Sequence, residues 1–375
     1  MRVRIEKVIQ GGEGLAVPED GRRVFVPAVL PGELVEVDLV ETKSGFSRAE
    51  LLEILEPSPA RIEEQCPYWG VCGGCDFQYA DHGEQIRIKE GIIRENFARI
   101  GKIGEIEMLP TEAGKPWEYR CRSRFHVDLR SRKAGFLGRN SNELVPIDSC
   151  PVLTPKLNSL LEEPDFLIES ACRLQQRNPV VEVGALASKE QISLLGREIG
   201  IPVSGKTLHA SSEVFFQSNE VLLEPLVRYV QEHAVGDTVI DLYSGVGTFS
   251  AFVEAKRVIA VERNKRCLAF AKKNAPHLDF YTGNVANLAA VQKGRIDTVI
   301  VDPPRVGFDR NLHEKIERWG TRRIIYVSCN SVTLARDVGT LVGLGFTLDS
   351  VKQFDFYPQT FHHEAVAVLS RGDAG

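Results

Sequence analysis

Thr238-Val-Ile-Asp241-Leu242-Tyr243-Ser244-Gly245-Val246-Gly247-Thr248-Phe249 joins a short β-forming run to a loop with two glycines. Further along, Arg257-Val-Ile-Ala-Val-Glu262, Asp297-Thr-Val-Ile-Val-Asp302 and Ile324-Ile-Tyr-Val327 repeat the run, each ahead of a segment of helical character. Asn219 to His233 reads as a helix before the first of them. Continuous β-branched runs alternating with helices predict an α/β class domain, a doubly wound parallel sheet buried on both faces. Phe346 to Phe354 and Glu364 to Leu369 are strands with no helix between them, so the sheet should close on an antiparallel hairpin, which dehydrogenases of this class usually lack.

Ligands of such a sheet sit outside the carboxyl ends of its strands. The loop after Asp241 has Gly245 and Gly247, but Ser250 stands where a dinucleotide fingerprint has its third glycine. Glu262 ends the next strand, where an acid can hold ribose hydroxyls. With the closing hairpin, this favours S-adenosylmethionine over NAD. Asp302-Pro303-Pro304-Arg305 forms a lip beside the cofactor, because two prolines fix φ and remove two donors. Amino-methylating enzymes place an aromatic residue after such prolines; here Arg305 follows, and Arg323-Ile-Ile-Tyr-Val-Ser-Cys329-Asn330 ends a strand on a thiol, which favours carbon methylation. A lone cysteine is often plain packing, yet this one falls at the edge where chemistry is done. Glu364, among histidines in Pro358-Gln-Thr-Phe-His362-His363-Glu364, is a candidate general base.

A chain of 375 residues exceeds what one core usually serves. No run approaches the roughly 18 apolar residues of a membrane helix, and no signal segment opens the chain, so a cytoplasmic protein that avoids membranes is expected. Residues 1–57 show short strands cut by turns, among them Val24-Phe25-Val26 and Leu34 to Val40, which predicts a small five-stranded barrel. Glu56-Pro57-Ser58-Pro59 reads as a linker. Cys66, Cys72 and Cys75 lie within ten residues; with Cys150 as fourth ligand and Cys121 in reserve, the spacing favours a [4Fe-4S] cluster over zinc, which wants two close pairs. A helix is predicted from His82 to Ile100, with Ile86, Ile93, Phe97 and Ile100 on one face. Arg120, Arg122, Arg124, Arg130, Arg132, Lys133 and Arg139 face only Asp128 as counter-charge, and alternating strands can gather several of them on one surface suited to a phosphate backbone. The net charge of −5 argues against indiscriminate polyanion binding, although an average conceals local stripes.

Taken together, Ser328-Cys329-Asn330, Asp302-Pro-Pro-Arg305, His362-His363-Glu364, Phe215-Phe-Gln217-Ser-Asn219 and the four cysteines resemble the RNA uracil-5-methyltransferases over nearly the whole chain. The resemblance implies a class I, Rossmann-like methyltransferase domain over 207–375. It also implies a central α+β domain with a cluster loop over 58–206 and a TRAM-like (OB-like) barrel over 1–57. It assigns Cys329 as nucleophile and Glu364 as base, with Gln217, Tyr243, Thr248, Glu262, Asn284 and Asp302 around cofactor and substrate. Ser331, Ser244, Thr248 and His363 depart from the usual proline, cysteine, asparagine and valine.

The expected reaction is methylation of C5 of a uridine in RNA. Thiolate addition at C6 makes C5 carbanion-like and splits one hard step into two. A paired uridine must be flipped out or already single-stranded, and Phe308 is a candidate to stack on it. By resemblance the substrate is 23S ribosomal RNA, with the transfer RNA T-loop as the alternative, and the enzyme is taken as a monomer. An iron–sulfur oxidoreductase would leave Cys329 and the hairpin idle, and a non-catalytic RNA-binding module would leave Asp302 and Glu364 idle.

Overall fold

In the computed structural model, the runs read as buried strands pair in one eight-stranded sheet. Its order is Asp279–Thr282, Arg257–Glu262, Thr238–Leu242, Thr298–Val301, Arg323–Ser328, Glu364–Ser370, Thr347–Phe354, Met108–Glu112. The first five are parallel neighbours, and Glu364–Ser370 runs antiparallel to the strands on both sides. After Thr238–Leu242 the chain builds two strands to one side and then crosses to the other, so this strand marks the switch point where a crevice opens. Val299, Ile300, Val301, Ile324 and Ile325 are fully buried, as residues covered on both faces must be. Two features differ from expectation. Met108–Glu112 adds a parallel edge strand, and only a 3-10 turn, Ser250–Phe252, follows the first strand where a helix was expected.

Residues 1–174, 178–288, 294–309 and 311–372 are described. Contacts divide the chain into two units: residues 1–95, 137–143 and 357–362 in one, and 96–136, 144–356 and 363–375 in the other. No helix among the described residues is long and apolar enough to cross a membrane.

The first unit opens with the barrel. Arg2–Arg4 pairs with Leu34–Lys43 and Lys7–Val8 with Gly14–Ala16, the two ends of a six-segment sheet. Only Ile5 and Glu6 separate the two segments, and their amides bond to Glu33 and Leu15. One bent strand thereby closes the sheet on itself, so the expected five strands appear as six segments. Val3, Ile5, Val24, Val26, Val35 and Val37 fill the interior. The segment read as a linker is tied down: buried Glu33 accepts hydrogen bonds from the Ser58 amide at 3.1 Å and from Arg61 Nε at 2.7 Å. Leu30, Phe77, Tyr79, Ile88 and Ile92 form a second core beside the barrel.

The helix His82–Arg99 buries Ile93 and Phe97 as predicted, but its buried face is wider and turned away from Ile86 and Ile100. Gln85, Ile88, Lys89, Ile92, Ile93 and Phe97 are inside, while Ile86 is half-buried and Ile100 exposed. Lys89 makes this possible because its ammonium donates to the Tyr357 carbonyl at 2.9 Å.

In the second unit Arg122–Asp128 is a central strand of a five-stranded sheet, flanked by Lys133–Leu137 and Val180–Ala187. Arg122, Arg124 and His126 share its outer face, as the alternation predicts, while Ser123, Phe125 and Val127 are buried. The cations are less bare than expected. Arg124 meets Glu182 at 3.3 Å and Arg132 meets Asp165 at 3.3 Å. In the first unit Arg139 meets Asp76 at 3.1 Å. The sequence reading found only Asp128 because the other carboxylates arrive from distant segments.

Candidate active site

The sheet's register brings Cys329 and Glu364 to the same edge. Ser328 and Ala365 are the last paired residues of their antiparallel strands, so Cys329 and Glu364 are the next cross-strand neighbours. Cys329 is half-buried rather than sealed in the core, whereas Glu364 is 3% exposed. Asn330 explains the abrupt end of the strand. Its side chain accepts from the Val332 amide at 3.1 Å and caps the helix Ser331–Gly343, while Ser328 Oγ accepts from the Asn330 amide at 3.1 Å.

Asp302 follows the strand Thr298–Val301 and accepts from Gln217 Nε2 at 3.5 Å. Gln217 is buried, and its Oε1 has no partner in the structure. Burial raises the Glu364 carboxyl well above the usual range, and Asp302 adds to the shift while Arg305 opposes it. Asp302 is raised as well, by desolvation and then by Asp241. Two carboxyls this close do not both ionise readily near neutrality. Burial, then Glu364 and Asp302, push the Cys329 thiol up to about 12, against which Arg305 acts as cation and hydrogen-bond donor.

The glycine loop lies at the switch point. Tyr243 and Gly245 adopt positive φ of 60° and 56°, and a Cβ on Gly245 would meet no atom within 4 Å, so the loop stands open there. Glu262 holds it through both oxygens, accepting from the Gly245 amide at 3.0 Å and the Asn264 amide at 2.6 Å. Gly283 bonds to the Glu262 carbonyl and so brings Asn284, which is exposed, to the end of that strand. Thr248 is buried. Asp241 Oδ2 accepts from the Ser250 amide at 3.1 Å, while its Oδ1 is buried without a partner, and burial raises its pKa to about 7. An open backbone cradle beside unpartnered buried acceptors suits a polar cofactor of S-adenosylmethionine's size and donor pattern.

Some expectations are corrected. Phe308 stacks on Tyr326 with centroids 4.6 Å apart and sits 5.0 Å from His313, so its ring belongs to the wall of the site rather than to an open platform. Ser331, at a position usually held by proline, is buried and accepts from Asn96 Nδ2 at 2.8 Å. Ser244 and His363 are also buried. Sequence reasoning missed Asp241 as a site group and Asp337 altogether. Asp337 accepts from Tyr326 Oη at 2.8 Å and from the Phe308 amide at 2.9 Å. An acid inside each apolar pattern was the available signal.

Cys66, Cys72, Cys75 and Cys150 are half-buried. Burial raises the Cys72 thiol, and the neighbouring Cys66 adds to the shift. Among the described residues no three His, Cys, Asp or Glu side chains are grouped to hold a metal ion. The donor chemistry suits a cluster, but the described geometry does not assemble its ligands.

Residues 288–372 match the tRNA (Uracil-5-)-methyltransferase family and residues 1–52 the TRAM domain. The chain is 31% identical to an uncharacterized RNA methyltransferase of Treponema denticola over 98% of both chains. It is 29% identical to the 23S rRNA (uracil(1939)-C(5))-methyltransferase RlmD of Vibrio parahaemolyticus, over 98% of this chain and 95% of that protein. In fold it resembles the Pyrococcus abyssi tRNA (uracil-54, C5)-methyltransferase solved with S-adenosyl-L-homocysteine. That likeness has a TM-score of 0.77 at 24% identity and covers 98% of this chain and all of the other.

Proposed function

Because the chain belongs to the RNA uracil-5-methyltransferase family, we propose that it methylates C5 of one uridine in 23S ribosomal RNA through a covalent adduct on Cys329. S-Adenosylmethionine, when bound, supplies an electrophilic methyl group. Gln217, Tyr243, Thr248, Glu262, Asn284 and Asp302 hold it and the flipped base. Cys329 Sγ, as a thiolate, adds to C6, C5 would accept the methyl group as the donor's sulfonium became a thioether, and Glu364 removes the C5 proton so that the sulfur leaves. Asp302, raised toward neutrality by burial, can present a proton or a lone pair to the uracil edge. The division into a barrel (1–57), a central RNA-binding segment (58–206) and a methyl-transfer domain (207–375) belongs to the same reading.

The observation that carries this reading is the thiol–carboxyl pair placed by strand register beside Asp302. Amino-methylation requires neither group. Incubation of total RNA with labelled S-adenosylmethionine, followed by mapping of 5-methyluridine, tests it. Label in 23S RNA supports the substrate, and label in the transfer RNA T-loop selects the alternative. Cys329→Ala should reduce turnover to background while leaving S-adenosylhomocysteine affinity within about twofold; undiminished methylation removes the nucleophile assignment.

A [4Fe-4S] cluster on Cys66, Cys72, Cys75 and Cys150 is supported by thiol chemistry and spacing alone, and no step above depends on it. Iron and sulfide analysis of anaerobically purified protein decides it, and protein lacking both removes the cluster.

A further inference from the structure

Asp337 is a carboxylate on the buried face of the helix Ser331–Gly343, 1% exposed, and no step of the proposed reaction uses it. Both of its oxygens are engaged. Oδ2 accepts from Tyr326 Oη at 2.8 Å and from the Phe308 amide at 2.9 Å. Oδ1 accepts from Arg336 Nε at 2.8 Å, and Nη2 of the same guanidinium donates to the Val306 carbonyl at 3.0 Å.

These bonds join the two segments that carry proposed reacting groups. Tyr326 lies in the strand Arg323–Ser328, three residues before Cys329. Val306 and Phe308 lie in the loop that begins at Asp302, and Pro303 and Pro304 stiffen its start. The rings of Phe308 and Tyr326 stack with centroids 4.6 Å apart, so strand and loop touch beside the carboxylate that bridges them. The Arg305 carbonyl adds a second attachment at the strand's end, accepting from Asn330 Nδ2 at 2.9 Å and Thr333 Oγ1 at 3.2 Å. Packing alone does not call for a carboxylate here. The strand already has ladders on both sides, and an apolar side chain would fill the space without the cost of burying a charge. What the carboxylate adds is direction, because one oxygen holds a hydroxyl of the strand and an amide of the loop at hydrogen-bond length.

We infer that Asp337 is a positioning residue for the methyl transfer. It ties the strand that ends at Cys329 to the loop that begins at Asp302, and so sets where thiol and carboxyl meet one uracil ring. This role rests on the reaction proposed above. Asp337 touches no reacting atom; it acts through Tyr326 on one side and Phe308 on the other. Misplacing such groups by about 1 Å costs on the order of 10²-fold in rate.

The test is the steady-state kinetics of full-length enzyme methylating total RNA, with rates expressed per S-adenosylhomocysteine-binding site so that unfolded protein does not count. Asp337→Asn is nearly isosteric, but its amide nitrogen has to face either the Arg336 guanidinium or the Tyr326 and Phe308 donors, so one side of the bridge is lost. Tyr326→Phe removes only the strand's hydroxyl and leaves the carboxylate its bonds to Arg336 and the Phe308 amide. Each variant should lower kcat by about 10–100-fold, while KM for RNA and S-adenosylhomocysteine affinity stay within about twofold of wild type. If Asp337→Asn fails to fold, Tyr326→Phe is read by the same criterion. A variant that melts at lower temperature yet keeps kcat within about twofold confines Asp337 to stability and overturns the inference, as does a loss that falls on KM alone. Wild-type enzyme that makes no 5-methyluridine would remove the reading beneath it, whereas unchanged kcat in variants of a methylating enzyme removes the Asp337 role alone.

Discussion

At the residue scale, a buried carboxyl has to be ready to accept a proton at one moment only. Glu364 is raised by burial and by Asp302, so its charge is expensive until substrate alters the site. Glu364→Gln should still form the C6 adduct and take up the methyl group, but should be unable to release the cysteine. The expected outcome is a slow-migrating protein–RNA band on a denaturing gel and a fall in kcat of about 10²–10⁴-fold; absence of the band argues against Glu364 as the base. Asp241 makes a separate prediction. Its folded pKa, about 7, lies above the ordinary aspartate value, so the fold binds a proton that the unfolded chain has released. That stabilisation is complete below the unfolded pKa of about 4 and is lost as pH rises through about 7. Melting temperatures from pH 5 to 8 should therefore fall more steeply for wild type than for Asp241→Asn, and parallel curves would show that Asp241 does not carry the effect.

At the element scale, the loop 302–309 is a short piece of irregular backbone fastened to one helix. Gly307 has φ of 81°, and a Cβ there would come within 2.5 Å of Arg336 Nη2 and Asp337 Oδ2. Both the strained backbone conformation and the collision disfavour any side chain. Gly307→Ala should lower stability by about 1–3 kcal/mol, read from the denaturant midpoint. It should also reduce methylation, because Arg305 and Asp302 ride on the same loop; a variant with unchanged midpoint and turnover would show that the loop adapts freely. The antiparallel pair Arg323–Ser328 and Glu364–Ser370 carries the other constraint. Shifting either strand by one residue turns every side chain to the opposite face and separates Cys329 from Glu364.

At the scale of the whole molecule, the barrel is not an independent appendage of the first unit. Leu30 and Val8 lie in one core cluster with Phe77, Tyr79, Ile88 and Ile92, and Arg61 reaches back to buried Glu33 at 2.7 Å. Deleting residues 1–56 would uncover those rings and leave Arg61 without its carboxylate. Each large apolar side chain exposed costs about 1.5–3 kcal/mol. The truncated chain should unfold at lower denaturant with a broadened transition, and an unchanged midpoint would mean that the barrel and the segment after it are energetically separate. Cys329, Glu364 and the Gly245 loop all lie in the second unit, so in the proposed reaction its strands carry the chemistry.

How much of this was legible beforehand follows from how local each signal is. Strand type, the closing hairpin, the Gly245 loop and the placement of Cys329, Asp302 and Glu364 at strand ends were all readable, because alternation, β-branching and glycine act within a few residues of chain. The buried face of the helix at residues 82–99 was legible at Ile93 and Phe97 but not at Lys89, which finds a carbonyl 268 positions away that no window of sequence contains. The arginine surface was judged too bare for the same reason, since Glu182, Asp165 and Asp76 arrive through tertiary contacts. Asp337 and Asp241 look like errors in apolar patterns until Tyr326, Phe308 and Ser250 donate to them. The chain by itself determined which chemical groups reach the carboxyl edge of the sheet. Only the tertiary structure decided which of them face one another and with what charge, because desolvation and ion pairing depend on distance in space rather than on separation along the chain.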